Sequence, residues 1–256
     1  MNEIHLNDIV TKDCFIKDSV TKDHRLSYTG ISDNHEKAQH KTEAGHCRKG
    51  IMGGTFDPIH NGHLTLAQCA LQQFQLDEIL FLPAGNPPHK QGRTDGAAAA
   101  ARLAMVRLAI SGYPYFLLDD EEMYRYGLSY TRDTLIRLNE KEPDTEFFFI
   151  IGADSLMTFD TWYQPNIICK YCSLLVAPRD GADADMINHK MEQLRLDYNA
   201  SVFLLDSPQV EVSSTDIRHL CEENRSIRGL VPDAVADYIK THDLYSRTFV
   251  AESCEK

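Results

Sequence analysis

The stretch Gly53-Gly54-Thr55-Phe56-Asp57-Pro58-Ile59-His60-Asn61-Gly62-His63 joins a short apolar run at 49–52 to a segment in which Leu64, Ala67, Leu71 and Phe74 recur at helical spacing. Two glycines directly after the apolar run let the backbone turn sharply and come close to a ligand. The helix start that follows offers unpaired N–H groups and the positive end of a dipole, a setting suited to anions. His60 and His63, three residues apart at that point, add donors for phosphate oxygens. The G-x-x-x-x-G-K-[ST] spacing of a P-loop is absent, and so is the G-x-G-x-x-G dinucleotide fingerprint. Taken alone, the histidine pair favours a plainer reading, a helix cap or a metal site, because one helical turn brings such side chains together.

Outward from this loop the same unit repeats. Further apolar runs bounded by turn residues stand at 78–82, 115–118, 146–151, 173–176 and 201–205. Between them Leu103, Val106 and Ile110 keep helical spacing, another helix is predicted from Tyr130 past Leu138, and Val231-Pro232-Asp233 opens a last one through Tyr238. Strands alternating with helices predict the α/β class: a Rossmann-like, doubly wound parallel sheet covered on both faces. Such sheets bind ligands at the carboxyl ends of their strands, so the loops after the strands are the place to look. This domain is expected to span 47–256. Residues 1–46 read differently, polar with five histidines and Lys-Asp at 12–13, 17–18 and 22–23. A period of five fits neither helix nor strand, so the reading is a poorly ordered N-terminal extension, dispensable for catalysis.

Bulk composition narrows the class. No apolar run approaches the ~20 residues of a membrane span, and residues 1–10 carry no secretory pattern, so the expected location is cytoplasmic. A formal net charge of −12 argues against a general nucleic-acid binder but not against a nucleotide enzyme, where a few local cations suffice. Seven cysteines, an odd number, do not suggest a disulfide framework. Cys169 and Cys172 form a lone C-x-x-C with no second pair to complete a zinc site, and read as ordinary reduced thiols.

Other segments follow in a definite order. Pro87-Pro88-His89-Lys90 stiffens a loop and presents a cation; Ser129-Tyr130-Thr131 opens a helix. Then come Ile151-Gly152-Ala153-Asp154-Ser155-Leu156, Thr161-Trp162-Tyr163, Val212-Ser213-Ser214-Thr215-Asp216-Ile217-Arg218 and Ser226-Ile227-Arg228-Gly229-Leu230-Val231-Pro232. Each has a bland reading alone: an N-cap for Ser213 to Thr215, core packing for the single tryptophan, a cap for Asp154, a solvated charge for Lys90. Together with the first loop they resemble the HxGH nucleotidyltransferase superfamily, in the GGTFDPIHxGH form of the nicotinate mononucleotide adenylyltransferases. The resemblance covers roughly residues 48–245.

That resemblance implies transfer of an adenylyl group from ATP to nicotinate mononucleotide, by in-line attack without a covalent intermediate. It implies His60 on the triphosphate, His63 on the α-phosphoryl group in the transition state, and Arg218 on the departing pyrophosphate. Ser214, Thr215 and Lys90 would add phosphate contacts. Gly53, Gly54, Thr55 and Phe56 would line the ATP side, and Gly152 and Asp154 would meet the adenosine ribose. Trp162 would stack on the pyridine ring, with Thr131, Tyr163 and Arg179 on the mononucleotide. Mg²⁺ is expected with the ATP phosphates, since no carboxylate cluster suggests a protein cage. No nucleic-acid or membrane partner is expected; a homo-oligomer is compatible with the sequence. Rival readings are a sibling enzyme (a pantetheine-phosphate adenylyltransferase or a cytidylyltransferase) and, from another class, a catalytically silent nucleotide sensor.

Overall fold

The computed structural model describes residues 47–86, 96–178, 183–208 and 212–246. All of them lie in the compact unit His40–Lys256; the readings made for residues 1–46, for Lys90 and for Arg179 fall outside the described residues.

Six strands form one parallel sheet: β1 (Cys47–Gly54), β2 (Glu78–Pro83), β3 (Phe116–Leu118), β4 (Thr145–Gly152), β5 (Ser173–Ala177) and β6 (Val202–Leu204). Their order is β3-β2-β1-β4-β5-β6, and every neighbouring pair runs parallel. The chain leaves β1 toward β2 on one side and later returns to pair β4 on the other. A crevice therefore opens beyond the carboxyl ends of β1 and β4, where strand order reverses. Gly53 and Gly54 close β1 at that point, and Gly152 closes β4 beside it.

Both faces of the sheet are covered, which is why Phe147 through Ile151 form an unbroken apolar run. Successive side chains point to opposite faces. Met52, Phe148 and Ile150 enter one core with α1 (Asn61–Gln73), α2 (Ala99–Ile110), α7 (Ser214–Glu222) and α8 (Asp233–Thr241). Ile51, Phe147, Phe149 and Ile151 enter the other with α3 (Thr131–Lys141), α4 (Ala153–Met157), α5 (Pro165–Tyr171) and α6 (Ala184–Tyr198). The six apolar runs read from the sequence are these six strands. Helix α6 was not named among the sequence-predicted elements, although Ile187, Met191 and Leu194 are its buried positions at helical spacing. It is capped by Asp183, whose side chain accepts from the Asp185 N–H, and it stops at Asn199 in the left-handed conformation.

Cys169 and Cys172 are free thiols buried in the second core. Burial pushes the Cys169 thiol up to about 11 and the Cys172 thiol further still, so neither offers the thiolate that redox or metal chemistry needs. Among the described residues, no helix is long and apolar enough to cross a membrane.

Candidate active site

The loop after β1 is held almost entirely by side chains. Its carbonyls belong to no strand ladder and need partners of their own. Arg102 of α2 reaches under the loop and donates to Thr55 O at 2.6 Å, Ala84 O at 2.8 Å and Gly85 O at 3.3 Å, tying the end of β1 to the end of β2. Arg218 donates to Asp57 O at 2.8 Å, and the Ser214 hydroxyl donates to Pro58 O at 2.9 Å. The buried Asp57 carboxylate accepts from the Ala97 N–H at 2.9 Å and from the Tyr245 hydroxyl at 2.7 Å. Phe56 turns through a positive φ of 51° and buries its ring against Phe81 and, edge-on, against His63.

His60 is the N-cap of α1, with extended backbone, and His63 stands in the first turn. Their rings stack with centroids 3.7 Å apart. The His60 N–H donates to His63 Nδ1 at 3.2 Å, which leaves the proton of a neutral His63 ring on Nε2. Gly62 between them sits in a tight space: a Cβ there would lie 3.0 Å from His60 Nδ1 and 3.3 Å from Val212 Cγ1. Val212 leads into α7, so the starts of α1 and α7 lie together. Ser213 caps α7 through the Asp216 N–H. The 226–232 segment closes on the same place, since Asn61 donates from its backbone to Leu230 O at 2.9 Å and from its side chain to Gly229 O at 2.8 Å. Two helix N-termini, two imidazoles and the Arg218 guanidinium thus share one corner, an arrangement able to bind and polarise phosphate.

His60 is only 8% exposed, and its buried Nδ1 has no hydrogen-bond partner among the described residues. Burial lowers its pKa from 6.5 to about 4, against the opposing pull of Asp216. The unfolded chain therefore binds a proton between pH 6.5 and 4 that the folded chain does not. Stability from this group is complete above pH 6.5 and is lost as pH falls, by about 3 kcal/mol on reaching pH 4. Denaturant titrations of the parent and of His60→Asn should diverge across that window, the variant losing less on acidification. Superimposable pH profiles would mean that His60 is not desolvated.

A cleft of about 690 Å³ starts at the other end of the loop. Gly53, Gly54 and Thr55 line its β1 side; Thr131, Trp162 and Tyr163 line it opposite. Trp162 is half-buried, edge-on to Phe149 at 6.1 Å and tilted on Phe159 at 5.3 Å. The 3-10 turn Phe159–Thr161 that delivers it is anchored by an ion pair from Asp160 to the buried Lys190 of α6. Tyr163 is half-exposed and lies 4.8 Å from the Tyr130 ring.

The residues singled out from the sequence therefore fall into two groups joined by one loop. Gly53, Gly54, Thr55, Thr131, Trp162 and Tyr163 line the cleft, while His60, His63, Ser214, Thr215 and Arg218 gather at the helix starts, with Phe56 packed beneath His63. Gly152 caps α4 and Asp154 stands in its first turn; Ser155, one residue on, is the member of that turn that lines the cleft. Sequence reasoning missed Arg102, Tyr245 and the roles of Asp57, and it missed Glu122 in the cleft wall.

Comparison with known proteins agrees with this architecture. The family model described as cytidylyltransferase-like matches residues 51–220. A probable nicotinate-nucleotide adenylyltransferase of Synechococcus sp. (strain JA-3-3Ab) is 45% identical over 199 residues, covering 77% of this chain and 94% of that protein. A protein of the same description from Lachnoclostridium phytofermentans is 44% identical over 196 residues, covering 77% and 98%. Among solved structures, the Plasmodium falciparum nicotinic acid mononucleotide adenylyltransferase complexed with NaAD superposes with a TM-score of 0.63 at 20% identity, over 78% of this chain and 98% of that one, a likeness of fold. The chain belongs to the cytidylyltransferase-like family and, within it, to the nicotinate-nucleotide adenylyltransferases.

Proposed function

We infer that the protein transfers the adenylyl group of ATP to nicotinate mononucleotide in the cytoplasm, forming nicotinate adenine dinucleotide and pyrophosphate for NAD biosynthesis. The observation that carries this reading is one loop running from a cleft with an aromatic wall at Trp162 to a corner where α1 and α7 both start. A phosphate oxygen of the mononucleotide forms a bond to the α-phosphorus of ATP as the bond to the bridging oxygen of pyrophosphate breaks. The nucleophile is already anionic, so no base is required, and catalysis rests on alignment and charge stabilisation. His60 and the positive end of the α1 dipole hold the triphosphate, the Asn61 and His63 N–H groups being committed to Leu230 O and His60 O. His63 donates from Nε2 to the α-phosphoryl oxygens as charge builds, and Arg218 with Thr215 and Ser214 receives the pyrophosphate.

Trp162 stacks on the pyridine ring, with Thr131 and Tyr163 beside it. Gly53, Gly54, Thr55 and Phe56 carry ATP, and Gly152 and Asp154 meet its ribose. Lys90 and Arg179 are further proposed contacts, to ATP and to the mononucleotide. Mg²⁺ bound to ATP would neutralise part of the charge on its phosphates.

The test is pyrophosphate release from ATP and Mg²⁺ with nicotinate mononucleotide, beside nicotinamide mononucleotide and phosphopantetheine. Preferential release with nicotinate mononucleotide is expected; release only with phosphopantetheine, or with none of the three, would overturn the reading.

A further inference from the structure

Glu122 is an anomaly in the cleft wall. It is 8% exposed, its atoms face the same cleft as Thr131 and Trp162, and no ion pair to it is formed among the described residues. A buried carboxyl without a contacting cation is costly, and an apolar residue would fill the same volume without that cost. Of the arginines on α3, Arg137 is engaged by Asp119 and Glu121, each at 2.8 Å, and Arg132 by Asp133. Burial raises the Glu122 carboxyl above its ordinary range, opposed by hydrogen bonds from Thr134 and Ser129 and by the more distant charges of Arg125 and Arg137.

What the carboxyl holds is the turn that opens α3. The Thr134 hydroxyl donates to Glu122 Oε1. Ser129 accepts from the Asn86 N–H on its Oγ at 3.4 Å, and its hydroxyl faces Glu122 closely enough to favour the charged carboxylate. Asn86 also takes the Ser129 N–H on its carbonyl at 3.0 Å and donates its side-chain amide to Gly127 O at 3.3 Å. Gly85, the preceding residue, lets the backbone of Glu122 come so close that an added Cβ would lie 2.3 Å from Glu122 O. Three segments, the loop after β2, the 3-10 turn Glu121–Tyr124 and the start of α3, thus interlock around one buried carboxyl.

We propose that Glu122 is a positioning residue for the acceptor: by fixing Ser129 and Thr134 it sets the place of Tyr130 and Thr131 in the cleft, and so governs binding of the mononucleotide but not of ATP. The proposal rests on the reading of the cleft's Trp162 end as the acceptor site. A fully accepting carboxylate suits two hydroxyl donors, and an amide oxygen can replace it at this task. Glu122→Gln should therefore bind the acceptor within about threefold of the parent, whereas Glu122→Leu, and Thr134→Val acting on the other partner, should weaken it by about tenfold or more.

Two readouts separate this inference from the functional reading beneath it. Trp162 is the single tryptophan of the chain, so quenching of its fluorescence by nicotinate mononucleotide reports acceptor binding without turnover. Steady-state pyrophosphate release gives KM for each substrate, with thermal melts confirming the fold of every variant. Weakened acceptor binding in Thr134→Val and Glu122→Leu, an ATP KM within twofold of the parent, and restoration by Gln support the proposal; should the Leu variant not fold, the other two carry the same comparison. An unchanged acceptor Kd, a parallel rise for both substrates, or a Gln variant as weak as Leu would overturn it. A parent that binds the mononucleotide but releases no pyrophosphate would sink the adenylyl-transfer reading and leave the Glu122 comparison readable from fluorescence.

Discussion

His63→Ala should lower kcat by ~100-fold or more while changing KM for either substrate little, the signature of a donor engaged mainly in the transition state. Three features prepare the imidazole for that work. Its Nδ1 is committed to the His60 N–H, its face is stacked on the His60 ring, and its edge meets Phe56. The ring is thereby fixed in orientation and tautomer before substrate arrives, so little reorganisation remains when charge develops on the α-phosphoryl oxygens. Alanine removes the donor and also leaves the His60 N–H without its acceptor, a loss of about 1 kcal/mol at the helix start. A modest drop in Tm should accompany the kinetic effect and cannot account for it. Asparagine at 63 should recover the cap better than the rate. Near-normal turnover in His63→Ala would remove the residue from catalysis and leave it only its structural bond to His60.

The parts of this site that were legible in the sequence are the parts encoded locally. The Gly53-to-His63 stretch carries its turn, its helix start and its two imidazoles within eleven consecutive residues, and the six strands announce themselves as apolar runs because both faces of the sheet are buried. The residues that hold the loop in place were not legible, because their partners are remote. Arg102 follows a run of alanines and reads as a solvated charge on an ordinary helix, yet its acceptors lie 47, 18 and 17 residues away. Tyr245 reaches Asp57 across 188 residues. Glu122 sits in an acidic cluster, Asp119-Asp120-Glu121-Glu122, in which nothing local marks the one carboxyl that turns inward. Ser214 and Arg218 illustrate a subtler limit. The motif assigns them to phosphate, and the folded chain also engages both on the carbonyls of Pro58 and Asp57, so the groups offered to the ligand are the same ones that shape the loop.

Arg102 is the residue whose loss should cost the fold most. Its guanidinium is 5% exposed, and burial depresses its pKa against the pull of Asp57. Arg102→Ala would strand Thr55 O, Ala84 O and Gly85 O together and open a cavity under the junction of β1 and β2. An unsatisfied buried acceptor costs about 1–3 kcal/mol, and partial solvation of the vacated space offsets some of the sum, so a loss of about 3–5 kcal/mol is expected. For a domain of this size that corresponds to roughly 10 °C in Tm. Lysine should recover only a fraction, because a single ammonium on a flexible stem cannot span three carbonyls that a planar fork reaches at once. The kinetic consequence separates the two roles of the residue. Thr55 lines the cleft and is joined directly to the segment bearing His60, so Arg102→Lys, assayed well below its melting point, should lower kcat/KM for both substrates together. A Lys variant with lowered Tm and unimpaired kinetics would confine Arg102 to stability and release the loop geometry from its control.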